Sequence, residues 1–281
     1  MSTIAVLGTG LLGSGFALKA LDNGHAVRVW NRTAEKCAPL VEAGCVQGAT
    51  PAEAVSGCSR VHLVLAADDA VDAVVEQLLP GLGDGAWIVD HSTNLPERVA
   101  SRCARLRADG VRYVHAPVFM GPSNSRDATG QMLISGPVEA VAALESALSE
   151  MTGELRVVGG RDEDAAVRKL LGNGLIIGLS ALAGDLLQVG RAGGLADEQT
   201  LEALGVFSPM AARMGKRSAG HHGGPVTFEL AMARKDVRLM IETGGADGMG
   251  VLPGLAAAMD ALIEAGHGAD NYTAVSAPKP E

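Results

Sequence analysis

Short apolar runs alternate with longer amphipathic stretches through the first half of the chain. Thr3–Leu7, Ala26–Trp30, 60–66, Trp87–Asp90, 111–116 and 132–135 are strand-sized, and segments of helical length separate most of them. The first connection opens on a glycine turn and predicts a helix through about Asn23. Strands joined in this way predict βαβ units, and so a mostly parallel sheet covered on both faces. After Gly159-Gly160 the pattern changes to Ala, Leu, Met and Gly at helical spacing, with no convincing strand. Asp162 stands where it would cap a helix over 163–191, closed by Gly193-Gly194. Further helices are expected over 196–205, 208–216, 228–244 and 254–265, with a frayed tail over 276–281. The fold class is therefore α/β. A Rossmann-type doubly wound sheet over 1–161 is followed by an all-helical domain over 162–281, the two joined by the long helix.

Composition narrows the function classes. The 281 residues are 47% hydrophobic and 20% charged, the balance of a globular protein rather than a disordered one. With 23 Lys+Arg against 32 Asp+Glu the net charge is -9, which argues against a nucleic-acid partner, because phosphate neutralisation needs clustered cations. At 3% aromatic content, few rings are left for base stacking. Cys37, Cys45, Cys58 and Cys103 have no CxxC or His/Cys spacing, so free thiols in a reducing compartment are expected. The opening residues lack a basic segment and a long apolar run, so no signal peptide is expected. The most apolar helical stretch, 170–189, contains Asn173 and Asp185, which a membrane span would avoid at those depths. A cytoplasmic protein without membrane or nucleic-acid contacts is the expectation. The histidines show no i, i+4 pair, and His221-His222 reads as a surface loop, so no metal site is expected.

Gly8-Thr9-Gly10-Leu11-Leu12-Gly13 sits directly between the first strand and the first helix, the context that gives a GxGxxG pattern its meaning. Gly8 allows the tight turn, Gly10 lets backbone approach a pyrophosphate, and Gly13 lets helix pack on strand. The helix N-terminus then offers unpaired N–H groups to the anion. At the end of the second strand, an NAD site would place a carboxylate for the ribose 2′-OH. Here the chain reads Asn31-Arg32-Thr33 with Lys36 one turn later, two cations and a hydroxyl suited to a 2′-phosphate. NADP(H) is therefore expected in preference to NAD(H).

Five ordered motifs resemble the β-hydroxyacid dehydrogenase family, which includes 3-hydroxyisobutyrate dehydrogenases and glyoxylate/succinic semialdehyde reductases and is related to 6-phosphogluconate dehydrogenase and imine reductases. They are the glycine fingerprint with Asn31-Arg32-Thr33; Asp90-His91-Ser92-Thr93 with Pro96; Ala116-Pro117-Val118 leading to Gly121 and Gly130; Lys169 with Asn173; and Phe228 followed by Lys235-Asp236. The resemblance implies that Thr93 lies by the nicotinamide ribose, and that Leu65, Ala66, Ala67 and Val71 pack against adenosine and diphosphate. It also implies that Lys235 contacts the cofactor side of a closed cleft, that Phe228 and Asp236 contribute to the substrate pocket, and that the protein is a homodimer or homotetramer.

The resemblance makes Lys169 the catalytic lysine. Its i, i+4 spacing from Asn173 puts both side chains on one helix face. Hydride reduction of a ketone or aldehyde leaves an alkoxide that needs a proton. A partly desolvated lysine has its pKa pushed down from ~10.4 toward a value useful for that exchange. Asn173 can donate and accept, orienting the lysine or the substrate oxygen.

The substrate loop departs from the family pattern. A serine and a glycine of that pattern are replaced by Phe119 and Met120, ahead of Gly121, which removes a polar anchor and adds bulk. Backbone N–H groups of Met120 and Gly121 are left to bind an anion, and Ser123 or Asn124 could supply a replacement donor. The expected small-molecule substrate is therefore a carbonyl or hydroxy compound larger or less acidic than 3-hydroxyisobutyrate, or an imine. In an alternative, Phe119 and Met120 turn into the core and the loop still works. An imine reductase-like enzyme and a non-catalytic dinucleotide-binding scaffold are the competing readings.

Overall fold

The computed structural model describes residues 2–219, 225–245 and 247–276. His221-His222 and the tail beyond Ser276 lie outside the described residues. Two compact units are present, Met1–Lys169 and Leu170–Glu281. The division falls inside the long helix, and Ala166 packs in the core of the first unit.

The first unit runs β1 (Thr3–Leu7), α1 (Leu11–Asp22), β2 (Ala26–Trp30), α2 (Ala38–Glu42), β3 (Val46–Gln47), α3 (Pro51–Val55), β4 (Arg60–Leu63), α4 (Asp68–Leu78), β5 (Trp87–Asp90), α5 (Pro96–Ala108) and β6 (Arg112–His115). All six strands are parallel, in the order β3-β2-β1-β4-β5-β6, which is the doubly wound Rossmann arrangement. Central strands buried on both faces read as continuous apolar runs, as Ile4-Ala5-Val6-Leu7 does. Each fully buried Leu, Ile or Val there contributes roughly 1.5–3 kcal/mol. One core packs Val71, Val75 and Leu78 of α4 with Val99, Cys103 and Leu106 of α5 against the sheet; another packs Ala17 and Ala20 of α1 with Val27 and Val29.

A second sheet follows, from β7 (Val118–Phe119), α6 (Pro122–Asp127), β8 (Gln131–Ile134), α7 (Val138–Ser149) and β9 (Glu154–Val157). β7 pairs antiparallel and β9 parallel to β8. Among these strands the apolar pattern reaches only β8. β7 has two residues, and β9 is largely exposed with charges at Glu154 and Arg156. Long helix α8 (Asp164–Ala192) starts one residue later than the pattern suggests. Its cap also comes from elsewhere: Ser135 Oγ accepts from the Ala165 N–H at 2.9 Å, while the Asp162 carboxylate pairs with Arg107 at 2.7 Å. An ion pair to a neighbouring helix won Asp162 away from the cap.

The second unit holds α9 (Asp197–Phe207), α10 (Pro209–Ala219), α11 (Leu230–Gly244) and α12 (Leu252–Leu262). Among its described residues the only β feature is a single bridge between Glu229 and Asn271. Within this unit Ile177, Ala183 and Leu187 of α8 are buried, and Ser276 Oγ donates to the Ser180 carbonyl at 2.7 Å. By length and composition α8 is apolar enough to cross a membrane, the only such helix among the described residues.

Candidate active site

Backbone geometry at the β1–α1 turn accounts for its glycines. Gly8 has φ +98, and a Cβ there would lie 2.2 Å from the Val64 carbonyl oxygen. At Gly13 a Cβ would come 1.8 Å from the Gly8 oxygen, so helix and turn touch backbone to backbone. Gly10 differs: a Cβ there would meet nothing within 4 Å. No side chain caps α1, so the open face in front of Gly10, Leu11 and Leu12 is lined by helix N-terminal amides without a side-chain acceptor. That cradle fits the pyrophosphate of a dinucleotide.

Asn31 braces the turn. Its Oδ1 accepts from the Thr9 N–H at 3.1 Å and its Nδ2 donates to the Thr33 carbonyl at 2.9 Å. Arg32, Thr33 and Lys36 are exposed beside it. Glu35, which the sequence reading did not weigh, is exposed in the same single turn. Leu65 and Ala67 are half-buried and Ala66 exposed after β4, where a ligand can reach them. Val71 corrects the expectation of adenosine contact: it is 0% exposed within the core, since the apolar face of α4 turns it inward.

Between β5 and α5, the Asp90 carboxylate accepts from the Ser92 N–H, Asn94 Nδ2 at 2.7 Å and Tyr113 OH at 2.6 Å. Thr93, half-buried, rides on this fixed loop. Beneath it lies a cluster that sequence spacing missed. His62, His91 and His115 are scattered along the chain, but adjacent strands bring them together. Arg60 Nε donates to His62 Nε2 at 2.8 Å, His62 Nδ1 meets His91 Nε2 at 2.8 Å, and His91 Nδ1 meets the Ala116 carbonyl at 2.7 Å. Burial pushes His91 down to about 4 and holds His62 and His115 below the usual range. The one legible signal was a histidine amid the apolar residues of β4. No group of three or more His, Cys, Asp or Glu suited to a metal ion occurs among the described residues. All four cysteines are free and buried.

Lys169 is 8% exposed. Its Nζ donates to the Val118 carbonyl at 2.7 Å and stands 4.4 Å from the centre of the Phe119 ring. A guanidinium or ammonium over an aromatic face is worth ~0.5–2 kcal/mol according to its desolvation. Phe119 therefore faces the lysine instead of turning into the core, while Met120 does pack against core residues. Two expected anion donors are already used. The Gly121 N–H donates to Asn124 Oδ1 at 2.9 Å, and Asn124 Nδ2 donates to Thr129. Asn124 thus closes the start of α6 rather than replacing the missing serine. Ser123 is exposed on the same helix.

In the second unit, Asn173 is buried and its Nδ2 donates to Asp236 Oδ2 at 2.6 Å. Asp236 is 1% exposed and also pairs with Lys235 Nζ at 2.8 Å. Its Oδ2 is thus held by Asn173, while Oδ1 lies in the ion pair with Lys235. Phe228 does not lie on α11 as the periodicity implied. Glu229 is extended and bridges Asn271, so the helix starts at Leu230 and Phe228 packs on Tyr272, ring centres 5.6 Å apart.

Comparisons with known proteins bear on the family and the fold. Residues 3–159 match the family model of the NAD binding domain of 6-phosphogluconate dehydrogenase. The chain is 39% identical over 136 residues to cytokine-like nuclear factor N-PAC of Xenopus tropicalis, covering 47% of this chain and 26% of that protein. It therefore spans about a quarter of that relative's length. Over 244 residues it is 30% identical to the uncharacterized oxidoreductase YfjR of Bacillus subtilis (strain 168), 85% of each protein. Over 188 residues it is 31% identical to 3-sulfolactaldehyde reductase of Escherichia coli (strain K12), 66% of this chain and 63% of the relative. Among solved structures, Mycobacterium tuberculosis 3-hydroxyisobutyrate dehydrogenase with L-serine has a TM-score of 0.84 at 19% identity, covering 98% of both chains. An imine reductase of Streptomyces aurantiacus has a TM-score of 0.65 at 26% identity, covering 97% of this chain and 98% of that one.

Proposed function

Because the chain belongs to the β-hydroxyacid dehydrogenase family, with the NAD-binding domain of 6-phosphogluconate dehydrogenase, we propose that it is an NADP(H)-dependent oxidoreductase acting on a small carbonyl or hydroxy compound. The observation that carries this reading is Lys169, buried in the same unit as the glycine cradle and held by the Val118 carbonyl and the Phe119 ring. When bound, the nicotinamide nucleotide supplies or takes up the hydride. Gly10, Leu11 and Leu12 hold its pyrophosphate through backbone N–H groups, and Arg32, Thr33 and Lys36 receive the 2′-phosphate. Lys169 Nζ gives a proton to the carbonyl oxygen in reduction and recovers it in oxidation. Asn173, one helical turn on and fixed by Asp236, orients the lysine or the substrate oxygen.

Phe119 supports a substrate that offers apolar surface rather than a second carboxylate near the lysine. The same ring, with the likeness to an imine reductase, supports a second reading in which a cyclic imine is reduced. Exposed Leu171, Leu175, Leu182 and Val189 form one stripe along α8 and support a homodimer or homotetramer. Buried free thiols support a cytoplasmic setting.

The test is NADPH oxidation against aldehydes, keto acids and cyclic imines, repeated with NADH. Turnover of one class is expected, with kcat/KM favouring NADPH at least about ten-fold, or ~1.4 kcal/mol. Tight NADPH binding without turnover of any class would sink the enzymatic reading in favour of a scaffold. A preference for NADH would assign Glu35 the greater weight at the 2′ position.

A further inference from the structure

We propose that His91, supported by His62, is a positioning residue for Lys169, acting through the backbone of residues 116–118. The proposal rests on the reading of Lys169 as proton donor. Three successive carbonyls of this segment each take a different donor. His91 Nδ1 serves Ala116 at 2.7 Å, the Leu133 N–H serves Pro117 at 2.9 Å, and Lys169 Nζ serves Val118 at 2.7 Å. The Ala116 N–H in turn donates to the Asp90 carbonyl at 2.7 Å. Pro117 has its φ fixed by its ring and its carbonyl held by the Leu133 N–H, so little torsional freedom is left between the first carbonyl and the third.

Proton placement in the histidine pair follows from its far end. A guanidinium only donates, so His62 Nε2 must be the acceptor of the Arg60 Nε–H. The His62 proton is therefore on Nδ1, directed at His91 Nε2, and the His91 proton is on Nδ1, directed at Ala116. Since Arg60 cannot take up a proton, the series is not a proton wire; it fixes ring tautomers and, through them, a carbonyl. The two imidazoles lie edge to edge, ring centres 5.2 Å apart with 7° between planes, and the Phe16 ring centre lies 5.1 Å from that of His91. Little room is left for either ring to turn.

Two isosteric replacements separate this role from simple stabilisation. His91→Asn keeps a donor where Nδ1 stood, whereas His91→Gln places its amide where Nε2 stood and leaves the Ala116 carbonyl without a donor. For His91→Gln, kcat is expected to fall about 10- to 100-fold, the scale of a misplaced catalytic group. The Kd for NADPH should stay within about two-fold, since the cradle is untouched. His91→Asn should recover most of kcat even though both variants lose thermal stability. Equal kcat in the two variants, or losses that simply follow Tm, would overturn the proposal. Should His91→Gln not fold, His62→Asn and His62→Gln make the same contrast one ring further out. There the asparagine variant is expected to keep the higher kcat, and equality again overturns the idea. Lys169→Ala is measured alongside. If it turns over normally, the function reading fails; if it is inactive while the histidine pairs show no contrast, only the positioning role fails.

Discussion

The turn after β1 and the segment after β6 both leave the carboxyl edge of the same parallel sheet, yet they are built in opposite ways. The first is made of absences. Its glycines bring backbone against backbone at Gly8 and Gly13, and α1 begins with no side chain over its amides. The second is filled: the carbonyls of Ala116, Pro117 and Val118 and the Gly121 N–H all have internal partners, and Phe119 lies under the lysine. The proposed anion cradle works by leaving donors open, whereas the proposed proton donor works by being held in one place. Binding and chemistry should therefore be separable by mutation.

Lys169→Ala is the strongest test of that separation. It should lower kcat about 10²- to 10⁴-fold, the usual worth of a positioned acid or base, with NADPH binding retained. Stopped-flow turnover together with a fluorescence titration of NADPH reads both quantities. Loss of NADPH binding along with kcat would show that the two regions do not act independently.

Acid should weaken the filled region. The unfolded chain protonates His91 near 6.5, while burial holds the folded value to about 4. Between these values the unfolded state binds a proton that the native state refuses, so stability falls as pH drops through that window and is flat above it. The full loss is on the order of 3 kcal/mol, and the lowered values of His62 and His115 act in the same direction. Urea midpoints between pH 8 and pH 4 measure this. A flat profile would mean that the histidines titrate in the fold as they do in the unfolded chain, contrary to their burial.

Gly10→Ala makes the smallest change and addresses the open region. Its backbone is extended with φ -74, and the added methyl meets no protein atom, so Tm should not move. The methyl stands in the cradle, and the Kd for NADPH should rise about ten-fold, or ~1.4 kcal/mol, with kcat at saturation nearly unchanged. A fall in Tm without a change in Kd would place the nucleotide elsewhere.

Legibility in the sequence follows the same divide. β1, β2 and β5 match their predicted runs residue for residue: β1 is buried and apolar from Ile4 to Leu7, whereas β2 alternates about a half-buried Arg28. The glycine turn was legible because a missing side chain is itself a local fact. β7 and β9 were not, since two residues and a charged, exposed strand carry no period. The position of Val71 in a motif suggests a ligand contact, but the packing of α4 turns it into the core.

By itself the sequence determined the wound sheet and the glycine turn that opens its first helix, both of which depend on local spacing or on residue type. Only the tertiary structure decided that Phe119 faces Lys169, that Ser135 rather than Asp162 caps α8, and that His62 and His91 stand in line beneath Ala116. These depend on which strands become neighbours across long stretches of chain. No local pattern records that choice, because it is made by burial of the whole core at once.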